Sequence, residues 1–321
     1  MKNFWKDLKK PIFAQAPMED VTDTVFRQMI IKCGRPDVFF TEFTNVDGMC
    51  SRGRDKVGKR LIFTPAERPI VAQIWGSKPE NFLETAKLIK LKRFDGIDIN
   101  MGCPEKSVVK KGLGGALIDN QPLAKEIILA TKEGAGGLPL SIKTRIGVKN
   151  IQTEKWAEFL LGFNLDCLII HGRTIAEMSE SPTHWDEIGK VVKLRNSLKL
   201  KTLIIGNGDI KTREEAIEKS KQYNLDGIMI GRGIFNNLWI YNKNIDPTKI
   251  SSQEKIKLLI EHIKLFDKTW GPFDKLRAKN FSLMKKFYKI YISGIPDAQN
   301  VRMKLMEFKN SKDTLNFLKL L

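Results

Sequence analysis

The sequence predicts an α/β fold, a (β/α)8 TIM barrel followed by a small C-terminal α-helical domain. Three observations carry this prediction: eight short apolar runs recur between residues 12 and 230, helical patterns separate most of them, and a lysine-rich, helix-like segment follows Tyr241. A doubly wound sheet is the main alternative. It would normally have a glycine-rich turn after the first strand, where this chain has Ala16-Pro17-Met18.

The predicted strands are runs of apolar, often β-branched residues, and most of them stop at glycine or proline. Their ranges are 12–16, 38–43, 70–75, 96–100, 140–146, 167–171, 203–206 and 227–230. Helical spacing of apolar residues predicts helices over 79–92, 122–132, 153–161 and 212–222, the last opened by a capping box of Thr212 and Glu215. Residues 45–68 give the weakest helical pattern of the series.

The last quarter of the chain differs from the rest in charge and pattern. We expect a barrel domain over residues 1–241, a linker over 242–250 and a helical domain over 251–321, with helices at 251–270, 273–291 and 297–321. The helical domain holds 15 Lys/Arg against 7 Asp/Glu, within a net charge of +18 for the chain. A basic face is predicted there from Lys275, Arg277, Lys279, Lys285, Lys286 and Lys289. Such charge indicates a polyanionic partner, usually nucleic acid, although a lysine-rich surface encoded by an AT-rich genome would give the same composition.

Composition excludes several classes of protein. With 42% apolar residues the chain can form a large core, so it is not a disordered protein. No apolar run reaches the roughly 18 residues of a membrane helix, and no apolar segment follows the basic residues 1–10, so neither a membrane span nor a secretory signal is predicted. The four cysteines, Cys33, Cys50, Cys103 and Cys167, are too scattered for a zinc cluster or disulfide framework, which favours the cytoplasm. No metal site is expected, and we expect a monomer.

Polar residues stand where most predicted strands end. In a barrel of this kind the carboxyl ends of the strands meet at one mouth, where active sites form. The strand ends carry Glu42, Gln73, Asn100, Lys143, Arg145, His171, Asn207 and the turn Gly231-Arg232-Gly233. This convergence predicts a single binding site.

Two glycine turns predict a phosphate site. Asn207-Gly208-Asp209 ends the seventh predicted strand and Gly231-Arg232-Gly233 ends the eighth, the usual place for phosphate in this fold. Glycines let main-chain N–H groups approach phosphate oxygens, and Arg232 adds a bidentate partner.

Three further side chains suit a flavin. Lys143, inside an apolar strand, can place a cation where negative charge gathers on a reduced flavin. Gln73 can hydrogen-bond the edge of the ring, and His171 stands at a strand end, although a lone histidine is often only a core residue.

Cys103 is the candidate reactive group. It follows the fourth strand in Asn100-Met101-Gly102-Cys103-Pro104, where glycine and proline shape a turn that would hold the thiol over the mouth. The glycine- and lysine-rich stretch 105–115 is predicted to be a mobile basic loop. The other three cysteines are expected to be inert.

These motifs, in their order, resemble those of the tRNA-dihydrouridine synthase (Dus) family, flavoenzymes that reduce uridine in tRNA. The resemblance covers nearly the whole chain, and the Asn-x-Gly-Cys-Pro element is its most specific part. The motifs are Ala16-Pro17-Met18, Thr41-Glu42-Phe43, Gln73-Ile74-x-Gly76, Asp98-Ile99-Asn100-Met101-Gly102-Cys103-Pro104, Lys143-x-Arg145, His171-Gly172-Arg173, Asn207-Gly208-Asp209 and Gly231-Arg232. Ser107 departs from the family pattern, in which many members carry a second lysine after Cys-Pro.

The resemblance implies a cofactor, a reductant and roles for residues. FMN would lie across the mouth, NADPH (or NADH) would reduce it, and hydride would pass to C6 of a flipped uracil while Cys103 protonates C5. tRNA would be the partner, bound in part by the helical domain. FMN would contact Pro17, Met18, Glu19, Gln73, Lys143, His171, Asn207, Gly208, Asp209, Gly231 and Arg232, and the substrate would contact Asn100, Arg145, Lys106 and Arg173.

Two other functions stay open at this point. An FMN barrel reductase acting on a free pyrimidine would explain the flavin residues but not the basic helical domain. A non-catalytic RNA-binding barrel would explain the charge but not the presence of Cys103, Lys143 and His171 together. The modified position is not indicated, because RNA is recognised largely by shape and phosphate contacts, and a ribosomal RNA target is an alternative to tRNA.

Overall fold

A ring of parallel strands forms the centre of the computed structural model, which describes residues 3–271 and 278–321. The strands are β1 (Ile12–Gln15), β2 (Phe39–Phe40), β3 (Thr44–Asn45), β4 (Ile70–Trp75), β5 (Gly96–Met101), β6 (Leu140–Arg145), β7 (Cys167–His171), β8 (Leu203–Asn207) and β9 (Gly227–Ile230). They pair in the order β1-β9-β8-β7-β6-β5-β4-β2, with β3 also on β4, and Gln15 N donates to Val38 O at 3.0 Å to close the ring. The predicted barrel is therefore confirmed.

The second predicted strand, 38–43, is wrong as one continuous element. Within that range only Phe39–Phe40 forms a strand, β2, and a second short strand, β3, follows it at Thr44–Asn45; both pair with β4. Between them the hydroxyl of Thr41 accepts the N–H of Gln73 at 3.1 Å. A side chain thus satisfies a donor that a continuous ladder would give to a main-chain oxygen, and the chain is free to turn at Glu42.

Helices surround the barrel, and the pattern between β3 and β4 is weak because that region holds only two short helices. Two helices for which no range was predicted, over Thr24–Cys33 and Trp185–Ser197, complete the layer. The helices are α1 (Thr24–Cys33), α2 (Val46–Met49), α3 (Arg54–Gly58), α4 (Pro79–Leu91), α5 (Lys106–Val109), α6 (Gln121–Ala135), α7 (Thr153–Leu161), α8 (Trp185–Ser197), α9 (Arg213–Gln222), α10 (Ser252–Trp270), α11 (Tyr288–Ile292), α12 (Ala298–Glu307) and α13 (Ser311–Leu318).

Helix ends account for the differences between prediction and structure. Thr212 caps α9, but Glu215 bonds Lys211 N rather than closing the box, whereas Ser251 and Glu254 form a full capping box on α10. The single helix predicted over 297–321 is two helices, because Asn310 caps a new start. The helix predicted over 273–291 is also broken: residues 273–277 lie outside the described residues, and 281–286 form a 3-10 turn before α11.

Two apolar clusters hold these layers together. One fills the barrel and includes Ile12, Val71 and Ile169, with Trp5 at its amino end. The other lies between strands and helices and continues into the C-terminal helices, where Phe26 of α1 lies 4.7 Å from Phe287, ring centroid to centroid. The helical region is therefore packed on the barrel through a shared core. None of the described helices has the length and apolar character needed to cross a membrane.

Candidate active site

A cavity of about 670 Å³ opens at the carboxyl ends of the strands. Because all strands of a parallel barrel end at the same mouth, the ends of β1, β6, β7, β8 and β9 lie together there. Nine of the eleven predicted cofactor residues line it, all but Glu19 and Gln73. The lining comprises Ala16, Pro17, Met18, Lys143, Arg145, His171, Ser179, Asn207, Gly208, Asp209, Ile210, Lys211, Met229, Gly231, Arg232, Gly233, Phe235 and Asn236.

Lys143 is the central cation of the cavity. Its ammonium makes no hydrogen bond or ion pair with any of the described residues, and burial together with nearby Arg145 lowers its pKa to about 8. An unpaired charge in a half-buried place is costly unless a ligand compensates it. The arrangement therefore favours an anionic or strongly polar ligand.

His171 lies in register with Arg145 on the neighbouring strand. Burial and the surrounding cations Lys143 and Arg145 hold its pKa well below the usual value, so the ring is neutral. Its Nε2 lies 3.3 Å from Nη1 of Arg173. Because arginine can only donate, Nε2 accepts, and the ring proton is on Nδ1, where it can serve as a donor.

The far side of the cavity has the features of a phosphate site. Asp209 pairs with both Arg173 and Arg232, and Arg173 is buried while Arg232 is 62% exposed. The buried arginine fixes the carboxylate, which in turn orients the exposed one. Gly208 has φ +150°, and a Cβ there would lie 2.4 Å from Thr183. Only glycine allows this turn to lie so close to the neighbouring loop.

A buried chain of amides forms the floor beside the cavity. Gln73 Nε2 donates to Asp98 at 2.7 Å, and Asn100 Nδ2 donates to Gln73 Oε1 at 3.2 Å. Asn100 Oδ1 then accepts Gly102 N at 3.1 Å. Asp98, which also accepts from Ser141 and has its pKa raised to about 6 by burial, was not among the predicted site residues. Asp98 thus holds Gln73, Gln73 holds Asn100, and Asn100 holds the turn before Cys103 through Gly102 N.

Cys103 lies next to the cavity rather than in its wall. Arg145, which does line the cavity, donates from Nε to Gly102 O at 3.1 Å. Burial raises the pKa of the Cys103 thiol, so it is protonated at neutral pH. A Cβ on Gly114 would lie 3.0 Å from the Cys103 Cβ, so glycine lets the following loop fold over the thiol.

The other predicted residues take different places. Glu19 pairs with Arg60 outside the cavity. Arg173 is buried beneath Asp209, with Ser181 O as another partner. Lys106 is exposed on α5, within the stretch 105–115 that was predicted to be a mobile loop and forms a short helix and a turn. Their roles toward cofactor or substrate stay predictions.

Several residues of the cavity wall were missed. Lys211 and Asn236 follow the two glycine turns, and their position right after those motifs is the signal that could have found them. Ser179 comes from the loop after β7, which Arg145 holds by donating to Thr174 O and Met178 O at 2.8 and 2.7 Å. No local pattern marks Ser179, because this loop reaches the cavity only through the fold.

The predicted basic face needs one correction. Lys279 does not face solvent: its side chain is 12% exposed and its ammonium binds Asp23 and Glu42 of the barrel. Lys285 donates to Met306 O, and Lys286 pairs with Asp20 of the barrel at 3.4 Å, although the side chains of Lys286 and Lys289 are exposed. Lys275 and Arg277 lie outside the described residues.

Comparison with known proteins adds sequence relatives and a solved fold. A family model described as dihydrouridine synthase (Dus) matches residues 14–321. A probable tRNA-dihydrouridine synthase of Staphylococcus aureus strain COL is 45% identical over 307 residues, 95% of this chain and 91% of the relative. A probable tRNA-dihydrouridine synthase 2 of Bacillus subtilis strain 168 is 44% identical over 314 residues, 97% of this chain and 94% of the relative. Histamine dehydrogenase from Rhizobium sp. 4-9 matches with TM-score 0.55 and 14% identity over 82% of this chain and 51% of its own, a likeness of fold alone.

Proposed function

Because this chain belongs to the dihydrouridine synthase family, we propose that it reduces uridine in tRNA to 5,6-dihydrouridine with FMN as cofactor and NADPH as reductant. The observation that carries the proposal is the juxtaposition, at one barrel mouth, of a cavity whose half-buried Lys143 has no partner among the described residues and a protonated thiol at its edge. A flavin and an acid are the two groups that such a reduction needs.

The residues of the cavity fit FMN. Lys143 lacks a partner among the described residues, and the neutral His171 offers a donor on Nδ1. Both would hold the polar edge of the ring, with Pro17 and Met18 on its side. When bound, FMN supplies the hydride, which it receives from NADPH. The phosphate end would be held by the two glycine turns, through Asn207, Gly208, Asp209, Gly231 and Arg232.

Cys103 acts in this proposal as the general acid. Hydride addition at C6 of uracil leaves negative charge on the base, and a proton must reach C5. The raised pKa keeps the thiol protonated until then. Arg145 is held by three main-chain oxygens and stays near Cys103, so its charge offsets the charge that develops on the base. Asn100, fixed by Gln73 and Gly102, would position the base edge.

The surface charge suits tRNA. A uracil inside a helix must leave its stack to reach the cavity, which requires a grip on the surrounding phosphates. Exposed cations lie on the loop after Cys103, at Lys106, Lys110 and Lys111, and on the C-terminal helices, at Lys286 and Lys289. We assign the barrel, residues 1–241, to catalysis and the helical part, 251–321, to RNA binding, in a monomer that works in the cytoplasm.

The direct test is an RNA assay with the purified protein. Unmodified tRNA from a strain without dihydrouridine synthases is incubated with the protein, FMN and NADPH, then digested and analysed by mass spectrometry. We expect two hydrogens to be gained on uridine, and fragment mapping names the position. Activity on free uracil or orotate without activity on tRNA or ribosomal RNA would contradict the proposal.

A further inference from the structure

Lys279 of the C-terminal region lies against the barrel, next to the turn that forms one wall of the cavity. Its ammonium is 3.0 Å from Asp23 Oδ2 and 3.3 Å from Glu42 Oε2, and it stands 4.6 Å from the centre of the Trp270 ring. The side chain of Glu42 is 1% exposed. A buried carboxylate of this kind is tolerated only when a cation or strong donor compensates it.

The two carboxylates that Lys279 binds both hold the turn of residues 18–23. Glu42 Oε1 accepts the N–H of Asp20, inside the turn, at 2.8 Å, and Asp20 has a left-handed φ of +55°. Asp23, at the end of the turn, accepts the N–H groups of Val25 and Phe26 and so caps α1. The turn begins at Met18, which lines the cavity together with Pro17. Lys279 therefore reaches the cavity wall through Glu42 and Asp23.

The charge at Glu42 depends on this contact. Its pKa is raised to about 7: burial is the largest cause of the rise, Asp23 and Glu19 add to it, and Lys279 is the main group that opposes it. Without the lysine the carboxylate would be repelled by Asp23 or protonated, and its bond to Asp20 N would weaken. A strained residue such as Asp20 keeps its conformation only while its surroundings enforce it.

We propose that Lys279 is a positioning residue for the cofactor: through Glu42 it holds the turn of residues 18–23 in the shape that lets Pro17 and Met18 bind the flavin. The helical region thereby contributes to the cofactor site of the barrel as well as to RNA binding. The inference rests on the proposed function, since it takes the ligand of the cavity to be FMN.

The experiment measures FMN affinity by the change in flavin fluorescence as FMN is added to flavin-free protein. Lys279→Met should weaken binding about tenfold, in keeping with the loss of one buried ion pair. The matched control is Lys255→Met, which removes a lysine whose ammonium donates to Ser293 O within the helical region, and it should leave the affinity unchanged. Equal affinity of Lys279→Met and wild type would overturn the proposal.

A second pair of variants separates positioning from folding. Lys279→Met/Glu42→Gln leaves no unpaired charge at position 42 and keeps an acceptor for Asp20 N–H, so FMN affinity should return to within about twofold of wild type. Lys279→Met/Glu42→Leu removes that acceptor and should bind FMN about tenfold more weakly than the Gln variant. Equal affinities of the two would contradict the proposal. If wild type itself bound no FMN, the proposed function would fail instead.

Discussion

The two ends of the barrel differ in whether their charged side chains have partners within the protein. At the amino end, four aspartates each accept a main-chain N–H from a neighbouring strand at 2.8 Å. Asp226 also pairs with Lys10 and Arg195, and Asp95 pairs with Arg68. The four pairs are Asp37 with Phe13, Asp95 with Ile70, Asp166 with Leu140 and Asp226 with Ile204.

At the carboxyl end, by contrast, the pairing of charged side chains is incomplete. Lys143 has no partner among the described residues, and Arg232 shares Asp209 with Arg173. Charged side chains that pair within the protein stabilise the fold. Charged side chains without such a partner are compensated when a ligand binds. One end of this barrel is therefore organised for stability and the other for binding.

The largest expected effect is a loss of turnover on removing the Cys103 thiol at the carboxyl end. Cys103→Ala should lower dihydrouridine formation by about 10²–10⁴-fold, because the proton donor is lost. Flavin content and the unfolding midpoint should stay as in wild type. Turnover is measured on unmodified tRNA by mass spectrometry, with Cys50→Ala, a change at an exposed cysteine, as the control. Full activity of Cys103→Ala would remove the thiol from the mechanism.

Lys143→Met tests the unpaired cation itself. We expect reduction of the bound flavin by NADPH to slow by about 10²-fold, since a positive charge at the ring edge is lost. The flavin-free variant should be at least as stable as wild type, because a half-buried charge that pairs with none of the described residues has been removed. Stopped-flow absorbance and urea unfolding measure the two effects. A marked loss of stability would mean that Lys143 serves the fold rather than the ligand.

Asp226→Ala is the matched change at the amino end. It leaves the buried Ile204 N–H without its acceptor and takes the carboxylate away from Arg195, which keeps only neutral acceptors such as Thr202 O, so the free energy of unfolding should fall by about 2–4 kcal/mol. Activity per folded molecule should not change. Urea denaturation gives the stability, and the tRNA assay at low temperature gives the activity. Asp226→Asn, which keeps one acceptor oxygen, should lose less.

The pH dependence of the free energy of unfolding should show directly that the charge on Lys143 destabilises the flavin-free protein. Its pKa is about 8 in the folded protein against the ordinary 10.5. Between these two pH values the unfolded chain holds more protons, so this group makes the flavin-free protein more stable as pH rises through that window. The gain should be absent in Lys143→Met. Urea unfolding of both proteins at pH 7.5 and 9.5 measures it, and equal slopes would contradict the lowered pKa.

The smallest effect concerns single cations on the loop after Cys103. Lys110→Ala should weaken tRNA binding about threefold and reduce the slope of log affinity against log salt by about one. NADPH oxidation without RNA should be unaffected. Binding is followed by filter retention at several salt concentrations, with Lys190→Ala, on helix α8, as the control. An unchanged salt slope would exclude Lys110 from the contact with phosphates.

Much of the candidate site was predictable because it follows strand ends. Gly208, Gly231 and Arg232 stand in short motifs at fixed places of the barrel, and all of them line the cavity. Ser179 and Asp98 were missed for different reasons. Ser179 lies on a loop whose path depends on its contacts with Arg145. Asp98 is one polar residue within an apolar strand, which by itself does not mark it as part of a site.

The amino-acid sequence was enough to predict the barrel, its strands and the mouth at which the functional residues meet. Apolar periodicity and turn residues are local properties, and one rule of the fold places all carboxyl ends together. The partners of individual charged side chains depend instead on the folded structure. Lys279 looks like any lysine of a basic helix, yet it binds Glu42, more than 230 residues away. Burial and pairing depend on neighbours brought together by folding, and these set the pKa values of Lys143, His171 and Cys103.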